Sequence, residues 1–179
     1  MSAPRRPRLD NIRLAIRSLF WAVLVPGTVA GYLPWRFFGL SAARVNPANP
    51  AHLLGVVVLG LGIVLLGACI REFARSGRGT LAPVDPPREL VVRGLYRYVR
   101  NPMYLSVALI LIGELLLTRS RALLGFAAAW FVAVNLFVVG YEEPALRRRF
   151  GESYRRYTER VGRWVPTIRA ERGDGGSRR

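Results

Sequence analysis

Four apolar stretches, separated by polar segments rich in arginine, dominate the pattern of the chain. The first runs from Ser18 to Phe38 and the second from His52 to Ile70. Each is close to the roughly 20 residues that a helix rising 1.5 Å per residue needs to cross about 30 Å of hydrocarbon. A third, Met103 to Thr118, is shorter, and a fourth runs from Ala122 to Tyr141. Only Arg119, Ser120 and Arg121 separate the last two, so they are predicted to form a helical hairpin turning at one membrane face. Pro26 and Pro34 interrupt the first stretch, where a kink or an early end is expected because proline donates no backbone hydrogen bond. No small-residue cleavage site follows that stretch and three more spans come after it, so it reads as a retained span and not as a removed signal peptide.

After Tyr141 the continuous apolar pattern gives way to an amphipathic one. Leu146, Phe150, Tyr154, Tyr157 and Val161 recur at steps of four, four, three and four, which puts them on one helical stripe, with Arg147, Arg148, Arg149, Arg155, Arg156 and Arg160 elsewhere on the cylinder. Such a helix either lies in the headgroup plane or packs its stripe on the cytoplasmic ends of the spans. Pro144 marks its expected start and a bend away from the fourth span, leaving Glu142 and Glu143 at the junction. The fold class expected is therefore an all-α integral membrane protein of about four transmembrane helices plus a C-terminal amphipathic cytoplasmic helix. Along the chain this gives a basic N-terminus at 1–17, two spans within 18–70, loops, two spans and the amphipathic helix within 71–166, and a disordered basic tail at 167–179 whose glycines and arginines show no apolar periodicity.

Charge sets the orientation. All 27 basic residues are arginine, against 11 acidic ones, for a net charge of +16. Five arginines precede the first span, seven lie between the second and third, and eleven follow the fourth, whereas only two lie between the first and second and two between the third and fourth. The positive-inside rule then puts both termini and the segment 71–102 in the cytoplasm, as expected of a bacterial inner-membrane protein. Arginines flanking apolar spans meet anionic headgroups first, so membrane lipids and not nucleic acid are the expected polyanionic partners. No obligate protein partner is inferred. One Cys and one His cannot build a disulfide framework, a zinc cluster or a multi-histidine centre, and no metal site is expected. Cys69 reads as a small buried hydrophobe, and His52 falls on the outer side.

Candidate chemistry collects at the cytoplasmic ends of the third and fourth spans. The proline-rich segment Gly79 to Pro87 excludes a continuous helix and taken alone is a stiff linker. The run Gly94 to Tyr104 leads into the third span through Asn101, a good N-cap, and Pro102, a good first helical residue. Free amides and the positive end of the helix dipole there suit an anionic or carboxylate-bearing ligand, although Tyr96, Tyr98, Tyr104, Arg97 and Arg100 would equally serve as interfacial anchors. Glu142 and Glu143 close the fourth span, and a hairpin brings them to the Asn-Pro helix start. Amides at one end and carboxylates at the other suit a zwitterionic, ribose-bearing cofactor. Glu114, near the outer end of the third span, is expected to snorkel or to pair with Arg119 or Arg121, with a proton relay as the alternative. Gly55, Gly60, Gly62 and Gly67 read as close helix packing, not as a dinucleotide fingerprint.

The run Gly94 to Tyr104, followed by Glu142-Glu143-Pro144-Ala145-Leu146 and then by Phe150-Gly151, Tyr154, Tyr157, Val161, Arg163, Trp164 and Pro166, resembles the isoprenylcysteine carboxyl methyltransferase family, which is related to the integral-membrane phospholipid methyltransferases. The resemblance covers about Gly79 to Pro166. It implies S-adenosylmethionine bound without a Rossmann domain, in a pocket of the last two spans and the cytoplasmic loops, with a lipophilic small-molecule substrate entering from the side. Carried over by the resemblance, cofactor contacts fall on Leu90, Val91, Tyr96, Asn101, Pro102, Met103, Tyr104 and Glu142, and the catalytic candidates are Glu142, Glu143 and Asn101. Two positions depart from the family pattern: Asn101 stands where its members commonly have His, and Val138 where the protein-prenyl enzymes have Arg, so a prenylcysteine carboxylate lacks its expected anchor. The function expected is methyl transfer to a small lipophilic or isoprenoid-like acceptor at the cytoplasmic membrane face. The alternatives are a nicotinamide-dependent reductase resembling the integral-membrane sterol reductases, and a non-enzymatic membrane protein in which the same residues are anchors.

Overall fold

The structure, a computed structural model, describes residue 20 and residues 24–40, 43–76, 90 and 92–167. The basic segment 1–17, the proline-rich segment Gly79 to Pro87, Val91 and the tail from residue 168 onward lie outside the described residues. Within them the chain is helical: α1 (Leu33–Phe37), α2 (Pro50–Ser76), α3 (Pro102–Thr118), α4 (Arg121–Phe137) and α5 (Glu143–Arg160), with a 3-10 turn at Gly94–Arg97. The only β-type pairing among the described residues is an isolated parallel bridge between Val99 and Gly162. Two helical runs, Pro50–Glu72 and Arg121–Arg160, are long and apolar enough to cross a membrane, and Pro102–Thr118 is a shorter apolar helix. This is an all-α membrane protein.

Two of the three asparagine-proline pairs, Asn49-Pro50 and Asn101-Pro102, start helices, by different means. At α2, the Asn49 side-chain oxygen accepts from the Ala51 amide at 3.0 Å, a regular N-cap, and Pro50 at the first helical position has no amide to leave unsatisfied. At α3, Pro102 again opens the helix, but the Asn101 side chain makes no capping bond. Its Nδ2 donates to the carbonyl of Arg163 at 3.3 Å instead. Asn101 therefore marks the helix start as expected without capping it, because a tertiary acceptor takes its side chain.

Two prolines widen the helices that contain them. Pro34 is preceded by a π-helical turn at Thr28–Tyr32, and Pro144 by another at Val138–Glu142. A proline ring collides with the carbonyl four residues back, which is Ala30 in the first case and Gly140 in the second, and each lies inside the widened turn. Ala30 has left helical geometry altogether (φ −107°, ψ 16°), so the expected kink in the first stretch is there. At Pro144 the outcome differs from the expected fresh start and bend: the helix continues from α4 through the π turn into α5, as one run of 40 residues. It departs from helical geometry further on, at Gly151, whose φ of 51° and ψ of −124° favour glycine.

The α2–α3 contact forms the main helix packing of the molecule. Gly55 and Gly62 of α2 and Gly113 of α3 let the backbones meet: a methyl group at Gly62 would lie 2.8 Å from the Ile110 amide nitrogen and 2.9 Å from the Ser106 carbonyl. Gly60 and Gly67 face open space, so the small-residue reading of α2 holds for two of its four glycines. Ala30, Val107, Ile110, Leu111 and Leu123 form the buried core between the first stretch, α3 and α4. The α3–α4 hairpin turns at Arg119, in the left-handed region (φ 52°), and Ser120, whose hydroxyl caps α4 by accepting from the Leu123 amide at 3.2 Å. Arg119 reaches back to Asn49 at 3.3 Å and not to Glu114. Glu114 is only 2% exposed and its Oε2 has no hydrogen-bond partner among the described residues, so the expected ion pair with Arg119 or Arg121 is replaced by burial.

Candidate active site

The start of α3 and the end of the α4 π turn come together. Tyr104, in the first turn of α3, donates its hydroxyl to Glu142 Oε2 at 3.3 Å across 38 residues of sequence. One residue further, Glu143 Oε1 accepts from Arg100 Nη1 at 2.8 Å. Adjacent residues on a helix point about 100° apart, so the two carboxylates have different neighbours although they are consecutive.

Glu143 is the centre of a clamp. Besides Arg100 it takes two bonds from Arg163, Nε to Oε1 at 2.6 Å and Nη2 to Oε2 at 2.8 Å, the fork geometry in which guanidinium matches carboxylate. Burial acts to raise the Glu143 carboxyl, but the hydrogen bond from Arg163 and the positive charges of Arg100, Arg163 and Arg147 outweigh it, and the group is held below its ordinary range. Arg163 reaches this position because the segment after α5 docks on the one before α3. The Arg100 amide donates to the Gly162 carbonyl at 2.9 Å beside the Val99–Gly162 bridge, and the Thr167 amide donates to the Tyr98 carbonyl at 2.8 Å.

The stripe of α5 holds this arrangement from below. Tyr154, Tyr157 and Val161 are buried with Leu146, Phe150, Leu90 and Val92 packed against them, so the stripe covers the chain's own loop and does not lie open to headgroups. The Tyr157 hydroxyl donates to the Tyr96 carbonyl at 2.7 Å and so fixes the 3-10 turn that carries Tyr96. Burial pushes the Tyr96 phenol well above its usual range, which keeps it protonated and a donor.

Trp164 covers the other side. Its Nε1 donates to Asn135 Oδ1 of α4 at 3.0 Å, and its ring lies 5.3 Å from that of Phe131 and 6.5 Å from that of Tyr104. Of the residues anticipated from sequence, Asn101, Pro102, Met103, Tyr104, Glu142 and Glu143 lie in this one region, Tyr96 is tied to it through Tyr157, and Leu90 sits in the cluster beneath α5. Arg163, Trp164 and Asn135 were not anticipated as site residues. The available signal for Asn135 was a carboxamide inside an apolar span, which requires a polar partner.

The profile of the phospholipid methyltransferase family matches residues 50–153. A protein named protein-S-isoprenylcysteine O-methyltransferase B, from Arabidopsis thaliana, is 30% identical over 118 residues, which are 61% of this chain. The match spans 58% of that relative's own length. An uncharacterized protein of Haemophilus influenzae is 42% identical over 64 residues, which are 35% of this chain and the whole of that protein. No solved structure matches. With a profile match over more than half of its length, the chain belongs to the phospholipid methyltransferase family.

Proposed function

We propose that this protein transfers a methyl group from S-adenosylmethionine to a small lipophilic or isoprenoid-like acceptor at the cytoplasmic face of a bacterial inner membrane. The observation that carries the reading is the Tyr104–Glu142 contact, which gives the helix start and the acidic pair a common neighbourhood. In this reading four helices span the membrane, both termini are cytoplasmic, and the cofactor lies against Leu90, Val91, Tyr96, the run Asn101 to Tyr104, and Glu142.

The donor set suits a zwitterion. Arg100 Nε is buried with no hydrogen-bond partner among the described residues, a donor whose natural complement is a carboxylate. Glu142 has acceptor capacity beyond its bond to Tyr104, available to hydroxyls or to a positive charge. When bound, the sulfonium supplies an activated methyl group together with its leaving group, so the protein's task is to align donor and acceptor about 3 to 3.5 Å apart and to exclude water. Trp164 and Tyr104 would close the site against water. Asn101 would orient the Arg163 segment. Glu142 would accept the proton of an amine or phenol acceptor, whereas a carboxylate acceptor would need no base. Glu143, with both oxygens on arginine, would act as a positioning residue.

Thermal melting of the detergent-purified chain tests this. S-adenosylhomocysteine at 100 times its dissociation constant adds about 2.7 kcal/mol of stability and raises the melting temperature, while NADPH leaves it unchanged. Glu142→Ala and Tyr104→Ala abolish the response with insertion intact. Stabilisation by NADPH alone, or unchanged affinity in both variants, refutes the reading.

A further inference from the structure

A cavity of about 500 Å³ opens beside the clamp, where the π turn passes into α5, lined by Val139, Glu143, Pro144, Arg147, Arg148 and Arg163. Its size is that of a small-molecule site, and its two ends differ in chemistry. On the span side, Val139 continues an exposed apolar face with Val132 and Leu136, three residues at steps of four and three along one side of the helix. On the other side, Arg147 and Arg148 stand in the first turns of α5, exposed and without a hydrogen bond or ion pair among the described residues.

The local charge is unbalanced. Glu143 is ion-paired with Arg100 and Arg163, and although its charge also acts on Arg147, neither Arg147 nor Arg148 forms an ion pair with it, so one carboxylate faces an excess of guanidinium in the cavity. Exposed guanidinium forks with no hydrogen-bonded acceptor among the described residues, next to an apolar floor, match a phosphate diester that has acyl chains attached. A free phosphate would have no use for the Val132–Leu136–Val139 face.

We propose that this cavity is a binding site for an anionic phospholipid of the leaflet that α5 meets, its phosphate on Arg147 and Arg148 and one acyl chain along Val132, Leu136 and Val139. Because Glu143 and Arg163 line both cavity and clamp, an occupied site braces the clamp, and the stability of the protein follows the charge of the surrounding lipid.

The test needs no methyl donor, so its failure is distinct from failure of the methyl-transfer reading. The full chain in uncharged detergent is melted while phosphatidylglycerol, phosphatidylcholine or inorganic phosphate is added in separate arms. Phosphatidylglycerol is expected to raise the melting temperature saturably, and the other two are not. Arg147→Ala/Arg148→Ala is expected to weaken the apparent lipid affinity about thirtyfold, from about 1 kcal/mol per arginine near an anionic surface. Arg147→Lys/Arg148→Lys retains most of the effect, and Arg155→Ala/Arg156→Ala, at exposed arginines of the same helix outside the cavity, leaves it in place. Equal stabilisation by phosphatidylcholine or by inorganic phosphate overturns the lipid assignment. No response to phosphatidylglycerol, or an equal loss in the Arg155/Arg156 control, overturns the site.

Discussion

Replacing Glu143 by alanine removes the one acceptor on which two guanidinium groups converge, and the size of the effect follows from the burial of each partner. The Glu143 side chain is 9% exposed, that of Arg100 13%, and that of Arg163 33%. Breaking a buried ion pair by deleting one member costs about 3–5 kcal/mol, because the survivor is left charged and poorly solvated. Arg163 is a third exposed and water can take over part of its bonding, so about 2–3 kcal/mol is expected here. For a chain of this size that lowers the melting temperature by about 4–12 °C. Glu143→Gln keeps the volume and one acceptor and should fall between wild type and alanine. The Glu143 carboxyl is held below its ordinary range, so its contribution is complete above the unfolded value of about 4.3 and is lost as pH falls through the lower folded value. The gap in melting temperature between wild type and Glu143→Gln should therefore stay constant from about pH 8 to about pH 5 and close below about pH 4. Fluorescence-detected melting of the purified chain across that range measures both quantities. A Glu143→Ala variant that melts with wild type, or a gap that widens on acidification, would refute the clamp.

Three further contacts can be probed by substitution. Gly62→Ala forces a methyl group within 3 Å of the Ile110 amide and the Ser106 carbonyl and should cost about 1–3 kcal/mol, while Gly60→Ala, which meets nothing within 4 Å, should be neutral; equal melting of the two would exclude the proposed helix contact. Trp164→Phe strands the Asn135 carboxamide and should cost about 1–2 kcal/mol, recovered in part by adding Asn135→Leu, and a double variant no better than the single would count against the bond. Asn101→His keeps an N–H donor for the Arg163 carbonyl and should preserve S-adenosylhomocysteine binding; complete loss in a titration would show that the family's motif is misplaced on this segment.

The meeting of Tyr104 with Glu142 could be anticipated because it needs only two local facts, an apolar period and a three-residue interruption at Arg119–Arg121. Any tight hairpin returns the end of its second arm to the start of its first. Glu143's partner Arg163 could not be found that way, since the contact depends on a parallel bridge between Val99 and Gly162, two segments with no periodicity to read. Asn101 and Glu114 failed for a shared reason. Local rules assign each a neighbour in sequence, a free amide for the one and a nearby arginine for the other, and tertiary packing supplied a carbonyl 62 residues away in the first case and burial without a partner for Oε2 among the described residues in the second. The π turn at Val138–Glu142 lay between these extremes: the proline that causes it was visible, but whether the helix would break or widen there was not.

That widened turn decides which acid does what. It takes up one residue more than an α turn does, so everything beyond it lags an uninterrupted α-helix of the same length by about 100°, the angular distance between neighbours. Deleting one residue from 138–141 would thus let the turn close as regular α-helix with both glutamates still in place, whereas rewinding it at full length would bring Glu142 to the arginines and turn Glu143 away. The division of labour between two chemically identical side chains is consequently written in the phase of the backbone, and a one-residue deletion within the widened turn should be tolerated better than the same deletion within α4.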